Sequence, residues 1–373
     1  MRIIIVGPFP PFRGGIADLN LGLATNLAKS HDVRIVNFTT QYPKIFFPGK
    51  SQFKADNFTI DISNERILSS INPFTWRKTA NYILDLKPDL IVFRYWIPFF
   101  AICFKSVARR IKAKSTTRVI AICDNIIPHE ERPFDKYLTK SFFRYVDRFL
   151  VMSKSVEKDL IKFIPNATYK YSPHPIYNIF GSKITKLTAR EILNVSENNV
   201  ILFFGLIRNY KGLDILIRAI DILKSRMNDF IVIVAGECYE DSKYYSELIQ
   251  KLELNEYFDL NFRFIPDSEL AAYFSVADVL ALPYRSASQS GIIQIAYHYD
   301  LPVVVTNVGG LPEIVANGVT GYLAEPNELS IAEALEKFFN KRRNYDFSSS
   351  VRKYKKQFSW EKMVETIELL ASE

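Results

Sequence analysis

The sequence predicts an α/β protein made of two doubly wound αβα domains, and three observations lead there. At 373 residues the chain exceeds one ordinary domain and fits two, each able to bury its own core. Short runs rich in β-branched and aromatic residues alternate with segments of helical spacing in both halves, and such alternation implies parallel strands joined by crossover helices. Between Pro165 and Phe180 the alternation stops. Pro165, Pro173 and Pro175 punctuate a stretch without period, which marks the link between a first domain over residues 1–172 and a second from 173.

In the first half, Ile3 to Val6 reads as a buried strand, followed by a loop through Pro8, Pro10, Pro11, Gly14 and Gly15 and a helix from about Ile16 to Lys29. Further strands are expected at Val33 to Phe38, Leu90 to Phe93, Val119 to Ile122 and Phe149 to Met152. In the second half, strands are expected at Val200 to Phe204, Phe230 to Ala235, Phe262 to Ile265, Val279 to Leu282 and Val303 to Thr306. After the first of these, Leu213, Leu216, Ile217, Ile220 and Leu223 recur at the spacing of one buried helix face. Ser359 reads as the N-cap of a last helix that carries Met363, Val364, Ile367 and Leu370 on one side.

A hydrophobic content of 48% and a charged content of 24% exclude the disordered classes. Cys103, Cys123 and Cys238 are far apart in sequence and form no metal or disulfide pattern, so a reducing, cytoplasmic setting is expected. The N-terminus reads as a strand rather than a signal peptide, and the apolar stretch from Leu90 to Phe104 is interrupted by Arg94 and Pro98 and is too short to span a bilayer. The net charge of +8 hides an asymmetry: residues 1–172 carry 27 Lys and Arg against 14 Asp and Glu, a net +13, whereas residues 173–373 carry a net −5. Lys136, Lys140, Arg144 and Arg148 recur every fourth residue beside Phe142 and Phe143, and Arg109, Arg110, Lys112, Lys114 and Arg118 form a second basic cluster. Basic and aromatic surfaces of this kind suit anionic lipid or a lipid-linked diphosphate at the inner face of a membrane. No nucleic-acid partner is expected.

The segment ILFFGLIRNYKGLD at 201–214 says most about function. Gly205, Arg208, Asn209 and Lys211 fall on a strand-to-helix loop, where a parallel sheet binds its ligands and a helix N-terminus offers unpaired N–H groups. Arg208 can grip two phosphate oxygens with its planar fork and Lys211 adds a compact ammonium, a pair suited to a diphosphate. Three more loops have related character. Arg13-Gly14-Gly15-Ile16 lets backbone approach a ligand closely but is no dinucleotide fingerprint; PYRSASQSG at 283–291 precedes a helix with small polar residues; and Asn307 to Glu313 is a glycine loop entering another helix.

Taken together, these loops resemble the retaining glycosyltransferases of family 4. The matching pieces are Gly14-Gly15, the string from Phe204 to Asp214, Ala235-Gly236-Glu237, the string from Pro283 to Gly291, Gly309 to Glu313, and Phe358-Ser359-Trp360 opening a last helix. The resemblance implies a GT-B fold: two Rossmann-like αβα domains facing across a cleft, an acceptor domain at 1–172, a nucleotide-sugar domain at 173–356, and a helix at 357–373 crossing back to the first domain. It further implies that Arg208 and Lys211 hold the donor diphosphate and stabilise the departing nucleotide, and that Ser290, Gly291 and Ile292 contact donor phosphate. Gly14 and Gly15 would approach it from the other domain, and Gly205 and Glu237 join the donor-binding set. No D-x-D motif is present, so neither a divalent metal nor another cofactor is expected.

Two positions depart from the family pattern. Its paired glutamates would fall near Ala287 and Ile295, where Gln289, Ser290 or Gln294 can stand in. Its donor-facing histidine would fall at Cys123 or Asp124, with His129 as a second candidate, so Asp124 and His129 join Arg208 and Lys211 as catalytic candidates. The expected activity is transfer of a sugar from a nucleoside-diphosphate donor to an acceptor hydroxyl with retention, in cell-surface polysaccharide or glycolipid assembly. A GT-B epimerase or phosphorylase and a degenerate, non-catalytic sugar-binding relative are the alternatives.

Overall fold

The computed structural model describes residues 1–43, 51–53, 61–127, 132–177 and 179–372, and the chain divides into two compact units, Met1–Pro175 with Phe358–Glu373 and Ile176–Gln357. The first unit runs β1 (Arg2–Val6), α1 (Gly15–Leu27), β2 (Asp32–Thr40), β3 (Ser63–Ser69), α2 (Pro73–Asp85), β4 (Leu90–Tyr95), α3 (Ala101–Lys112), β5 (Arg118–Cys123), α4 (Asp135–Phe143), β6 (Arg148–Val151), α5 (Lys154–Phe163) and β7 (Tyr169–Tyr171). Its strands pair in parallel in the order β3-β2-β1-β4-β5-β6-β7. The second unit runs α6 (Lys186–Leu193), β8 (Asn199–Phe204), α7 (Leu213–Leu223), β9 (Phe230–Ala235), α8 (Ser242–Lys251), β10 (Phe258–Asn261), α9 (Leu270–Val276), β11 (Val279–Leu282), α10 (Gly291–His298), β12 (Val303–Thr306), β13 (Gly321–Ala324), α11 (Glu328–Lys341) and α12 (Phe347–Tyr354). Its strands are also parallel, in the order β10-β9-β8-β11-β12-β13.

The central strands are apolar on both faces because helices cover both sides of each sheet. Ile3, Ile4, Ile5 and Val6 are at most 1% exposed, and the five helical positions of α7 picked out by spacing are fully buried. Side-chain caps fix several helix starts: Asn72 accepts from the Phe74 N–H, Ser153 from Val156, Thr185 from Thr188 and Asn327 from Ser330. Each unit is Rossmann-like, a parallel sheet joined by helical crossovers.

The last helix, α13 (Trp360–Ser372), belongs to the first unit. Ser359 Oγ accepts the Lys362 N–H at 3.3 Å, as an N-cap should. Trp360 lies against α1 at Gly22, where an added Cβ would fall 2.3 Å from Trp360 Cζ2. At the other end, Arg148 Nη1 donates to Leu370 O at 2.7 Å, Arg118 Nη1 donates to Ala371 O, and His31 Nε2 meets Glu368 Oε1 at 2.7 Å. Guanidinium groups at the carbonyl end of a helix satisfy its orphan acceptors and oppose its dipole.

The structure corrects four readings of the sequence. The strand expected at Phe262 to Ile265 lies instead at Phe258–Asn261, and β3, β7 and β13 were not anticipated. Arg148 does not extend the basic face of α4, because the helix ends at Phe143 and Arg148 opens β6. Phe142 and Phe143 are core residues, 0% and 3% exposed, rather than surface aromatics. Arg118 likewise leaves the second basic cluster to start β5 and bind α13. Among the described residues no helix is long and apolar enough to cross a membrane.

Candidate functional site

In the second unit the strand order reverses between β8 and β11, neighbours in space but not in sequence. Loops leaving such a switch point diverge and open a ligand crevice at the carboxyl ends of the strands. The loop after β8 carries Gly205, Arg208 and Lys211; the loop after β11 runs from Pro283 to Ser290 and opens α10.

Both loops are held by close backbone packing. Gly205 adopts φ +108° and Gly236 φ +151°, and a Cβ on Gly236 would fall 2.0 Å from Gly205 O. Ile207 N–H donates to Glu237 O at 3.0 Å, Tyr239 N–H donates to Ile207 O at 3.1 Å, and Asn209 N–H donates to Glu240 Oε1 at 2.6 Å, which zips the Arg208 loop to the loop after β9. On the other side Arg285 N–H donates to Tyr210 O at 2.7 Å, and the Arg285 guanidinium grips Asp214 with contacts of 3.0 and 2.6 Å. Thr306 Oγ1, at the end of β12, donates to Tyr284 O at 2.6 Å.

These contacts bring the cations together beside α10. Lys211 is only 8% exposed, and its Nζ lies 3.2 Å from where a Gly205 Cβ would stand, as does Ile292 Cδ1 in the first turn of α10. Burial pushes the Lys211 ammonium below its ordinary pKa, Tyr210 opposes that shift, and the nearby Arg208 charge adds to it. The Lys211 ammonium sits 5.2 Å from the centre of the Tyr284 ring, and the half-buried Arg208 guanidinium 5.2 Å from that of Tyr239. Among the described residues neither cation is paired with a carboxylate, in contrast to Arg285. Ser290, 5% exposed, is the N-cap of α10 but gives its first turn no side-chain hydrogen bond. Arg208 and Lys211 thus share the loop after β8, and Lys211 lies close to the first turn of α10, an arrangement suited in charge to an oxyanion.

The remaining candidates of this unit are placed as follows. Glu237 is half-buried at the end of β9, and Gln289 is half-buried in the loop before α10. Gln294 is fully buried one turn into α10, with neither end of its amide hydrogen bonded.

In the first unit, Gly14 caps α1 with φ +113° and nothing within 4 Å of a Cβ placed on it, and Gly15 opens the helix. Asn37 pins the preceding loop by accepting from the Phe9 N–H at 3.2 Å and donating to Phe9 O at 3.0 Å. Asp124, the residue after β5, forms a bidentate pair with Arg94, both contacts 2.6 Å, and the Arg94 side chain is 1% exposed. That geometry fixes the Asp124 carboxylate against Arg94. His129 lies outside the described residues. Reading the sequence missed Arg94, His174 and Tyr284, although a charge inside the apolar run LIVFRY was a signal, since a buried arginine is rarely without a partner. His174 is buried, its Nδ1–H donates to Pro175 O at 2.8 Å, and burial pushes its pKa down to about 4.

Comparison with known proteins follows the same lines. Residues 185–358 match the profile of the family described as glycosyl transferases group 1. An uncharacterized glycosyltransferase, MJ1178, of Methanocaldococcus jannaschii is 30% identical over 230 residues, 60% of this chain and 60% of that one. A D-inositol 3-phosphate glycosyltransferase of Corynebacterium aurimucosum is 30% identical over 195 residues, 50% of this chain and 45% of that one. The matches thus span between about half and 60% of these relatives' lengths. Among solved structures, Anabaena HepE in complex with UDP-glucose superposes with a TM-score of 0.75 at 17% identity, covering 100% of both chains. Sucrose-phosphate synthase from Thermosynechococcus elongatus superposes with a TM-score of 0.74 at 17% identity, covering 99% of this chain and 98% of that one. These two likenesses establish the fold, and residues 185–358, just under half of the chain, match the family described as glycosyl transferases group 1.

Proposed function

We propose that the protein is a retaining glycosyltransferase that takes its sugar from a nucleoside-diphosphate donor. The observation that carries this reading is the pair Arg208 and Lys211, without carboxylate partners among the described residues, at the switch point beside the uncapped first turn of α10. In the proposed reaction the bond between the anomeric carbon and the distal phosphate oxygen breaks, and its electron pair stays on that oxygen. Arg208, Lys211 and the N–H groups of Gly291 and Ile292 meet the charge that appears there, which is the term expected to dominate such a transfer. The acceptor hydroxyl attacks from the same face and passes its proton to the departing phosphate, so the reaction needs no protein base. Anabaena HepE is described in complex with UDP-glucose, which makes a uridine-diphosphate sugar the first donor to test.

Calorimetry with UDP on the wild type and on the Arg208→Ala/Lys211→Ala double variant tests the site. Binding to the wild type and none to the double variant is expected; equal affinity in both overturns the assignment.

The acceptor is proposed to be a glycan or lipid-linked intermediate in polysaccharide or glycolipid assembly, met by the first unit at an anionic membrane. Support comes from the net charge of +13 over residues 1–172 and from the exposed Phe74, Ile102, Phe134 and Tyr137 at or near the starts of α2, α3 and α4, close to exposed Arg77, Lys78, Lys136 and Lys140. Vesicle flotation with and without anionic lipid tests it, and absence of binding to both kinds of vesicle sinks it.

A further inference from the structure

We propose that Tyr284 is the positioning residue of the anion site, and that it acts through its ring rather than its hydroxyl. The inference rests on the donor-site reading above and adds a residue to it. Tyr284 is 3% exposed, and Lys211 Nζ lies 5.2 Å from the ring centre. An ammonium buried to this degree, with no carboxylate beside it among the described residues, needs another source of negative potential while the site is empty. The face of an aromatic ring supplies one, and supplies it most strongly where water is excluded.

The hydroxyl has no comparable task. It is buried beside Ser290, with at most a weak hydrogen bond to that hydroxyl. The contact with the ammonium is made through the ring, and Tyr284→Phe tests whether the oxygen contributes.

The backbone around Tyr284 fixes the ring under the lysine. A Cβ on Gly212, which has φ +68°, would fall 2.0 Å from Pro283 O, so the residue after Lys211 and the residue before Tyr284 are in direct contact. Arg285 N–H reaches Tyr210 O at 2.7 Å, and Thr306 Oγ1 holds Tyr284 O at 2.6 Å. Tyr284 is therefore tied to the lysine's own loop on both sides. The ring adds to Tyr210 in favouring the protonated ammonium against burial and the Arg208 charge, and holds it beside Gly205; without the ring, Lys211 loses protons at lower pH and its place is no longer set.

Three variants separate the ring from the hydroxyl: Tyr284→Phe, Tyr284→Met and Tyr284→Leu. Two readouts are used, calorimetry with UDP and with inorganic pyrophosphate over pH 6–10, and competitive amine labelling of Lys211 to obtain its pKa directly. Tyr284→Phe should keep wild-type affinity and wild-type pH profile. Tyr284→Met and Tyr284→Leu should bind both probes about tenfold more weakly, with the alkaline limb of binding and the Lys211 pKa displaced to lower pH. Should Tyr284→Leu fail to fold, the methionine variant, closer in volume, carries the test. An equal loss in Tyr284→Phe, or an unchanged Lys211 pKa in Tyr284→Met, overturns the proposal while leaving the donor site standing. Absence of binding of either probe to the wild type overturns the donor site itself, and the proposal with it.

Discussion

Replacing Lys211 by methionine should make the unliganded protein more stable while removing its affinity for a diphosphate. The side chain is 8% exposed and lacks a carboxylate partner among the described residues, so folding strips water from a charge and returns little beyond the Tyr284 ring and the neighbouring Tyr210. An effective penalty of about 3 kcal/mol for burying one unpaired ion, less about 1 kcal/mol for the ring contact, leaves a net gain of about 2 kcal/mol in Lys211→Met. For a unit of this size that corresponds to a rise in melting temperature of about 4–8 °C.

The dependence on pH carries a definite sign. Burial holds the folded-state pKa of Lys211 below its ordinary value of 10.5, so the penalty is complete where the lysine is protonated in both states and fades as pH rises through the folded-state pKa. The advantage of the variant should be widest near neutral pH and should close toward the ordinary lysine pKa. Saturating UDP should reverse the order, because a ligand at a hundred times its dissociation constant adds about 2.7 kcal/mol to the wild type alone. Differential scanning fluorimetry at pH 7 and pH 10, with and without UDP, reads all three effects. A variant that melts below the wild type at pH 7 without ligand would refute the reasoning, since the ammonium would then be a stabilising rather than a tolerated charge.

Gly22→Ala forces Trp360 from its place on α1 and should lower the melting temperature, at a cost of about 1–3 kcal/mol typical of overpacking, with a change in tryptophan fluorescence as the marker. Asp124→Asn leaves the Arg94 charge uncompensated where the side chain is 1% exposed; a loss of about 3–5 kcal/mol is expected in urea unfolding, and the double variant Arg94→Met/Asp124→Leu should recover most of it. Burial lowers the His174 pKa from 6.5 to about 4, so the neutral ring is favoured in the fold and the protein loses stability as pH falls from 6.5 toward 4. That loss is about 3 kcal/mol, and a His174→Gln variant should lack this part of the acid limb in urea titrations at successive pH values.

The strands that the sequence hid share one property. The order β3-β2-β1-β4-β5-β6-β7 places β3 and β7 at the edges of the first sheet, and β10 and β13 are the edges of the second. These are the strands that were overlooked or misplaced. An edge strand is covered less completely, so its residues need not be uniformly apolar: NERILS in β3 and FDLN in β10 keep polar side chains that a central strand would not tolerate. Phe262 to Ile265, by contrast, reads as a strand because it is apolar at three of four positions, but it lies in the segment beyond β10. The cationic face failed for a different reason. Spacing of four residues says nothing about where a helix stops, and Arg148 keeps the period after α4 has ended.

The loops of the candidate site were easier to read than the fold's margins, because their glycines are constrained by backbone conformation. Gly205, Gly212, Gly236 and Gly309 all adopt positive φ and abut carbonyl groups or the lysine, so glycine is the residue these loops require. Arg208 and Lys211 stood out by type and spacing. Tyr284 did not, since a tyrosine after a strand has no sequence mark that distinguishes a ring beneath an ammonium from a ring in any core.

The return of residues 358–372 to the first unit has a consequence for how the chain is made. Residues 176–357 form a contiguous unit, whereas the first unit lacks a helix, its tryptophan and the acceptors for Arg118 and Arg148 until the last stretch has been synthesised. During translation the second unit can therefore mature first although it emerges later, while the first waits with its surface beside α1 uncovered. A nascent chain stalled near residue 357 would present that gap to chaperones, and supplying the α13 peptide in trans should close it.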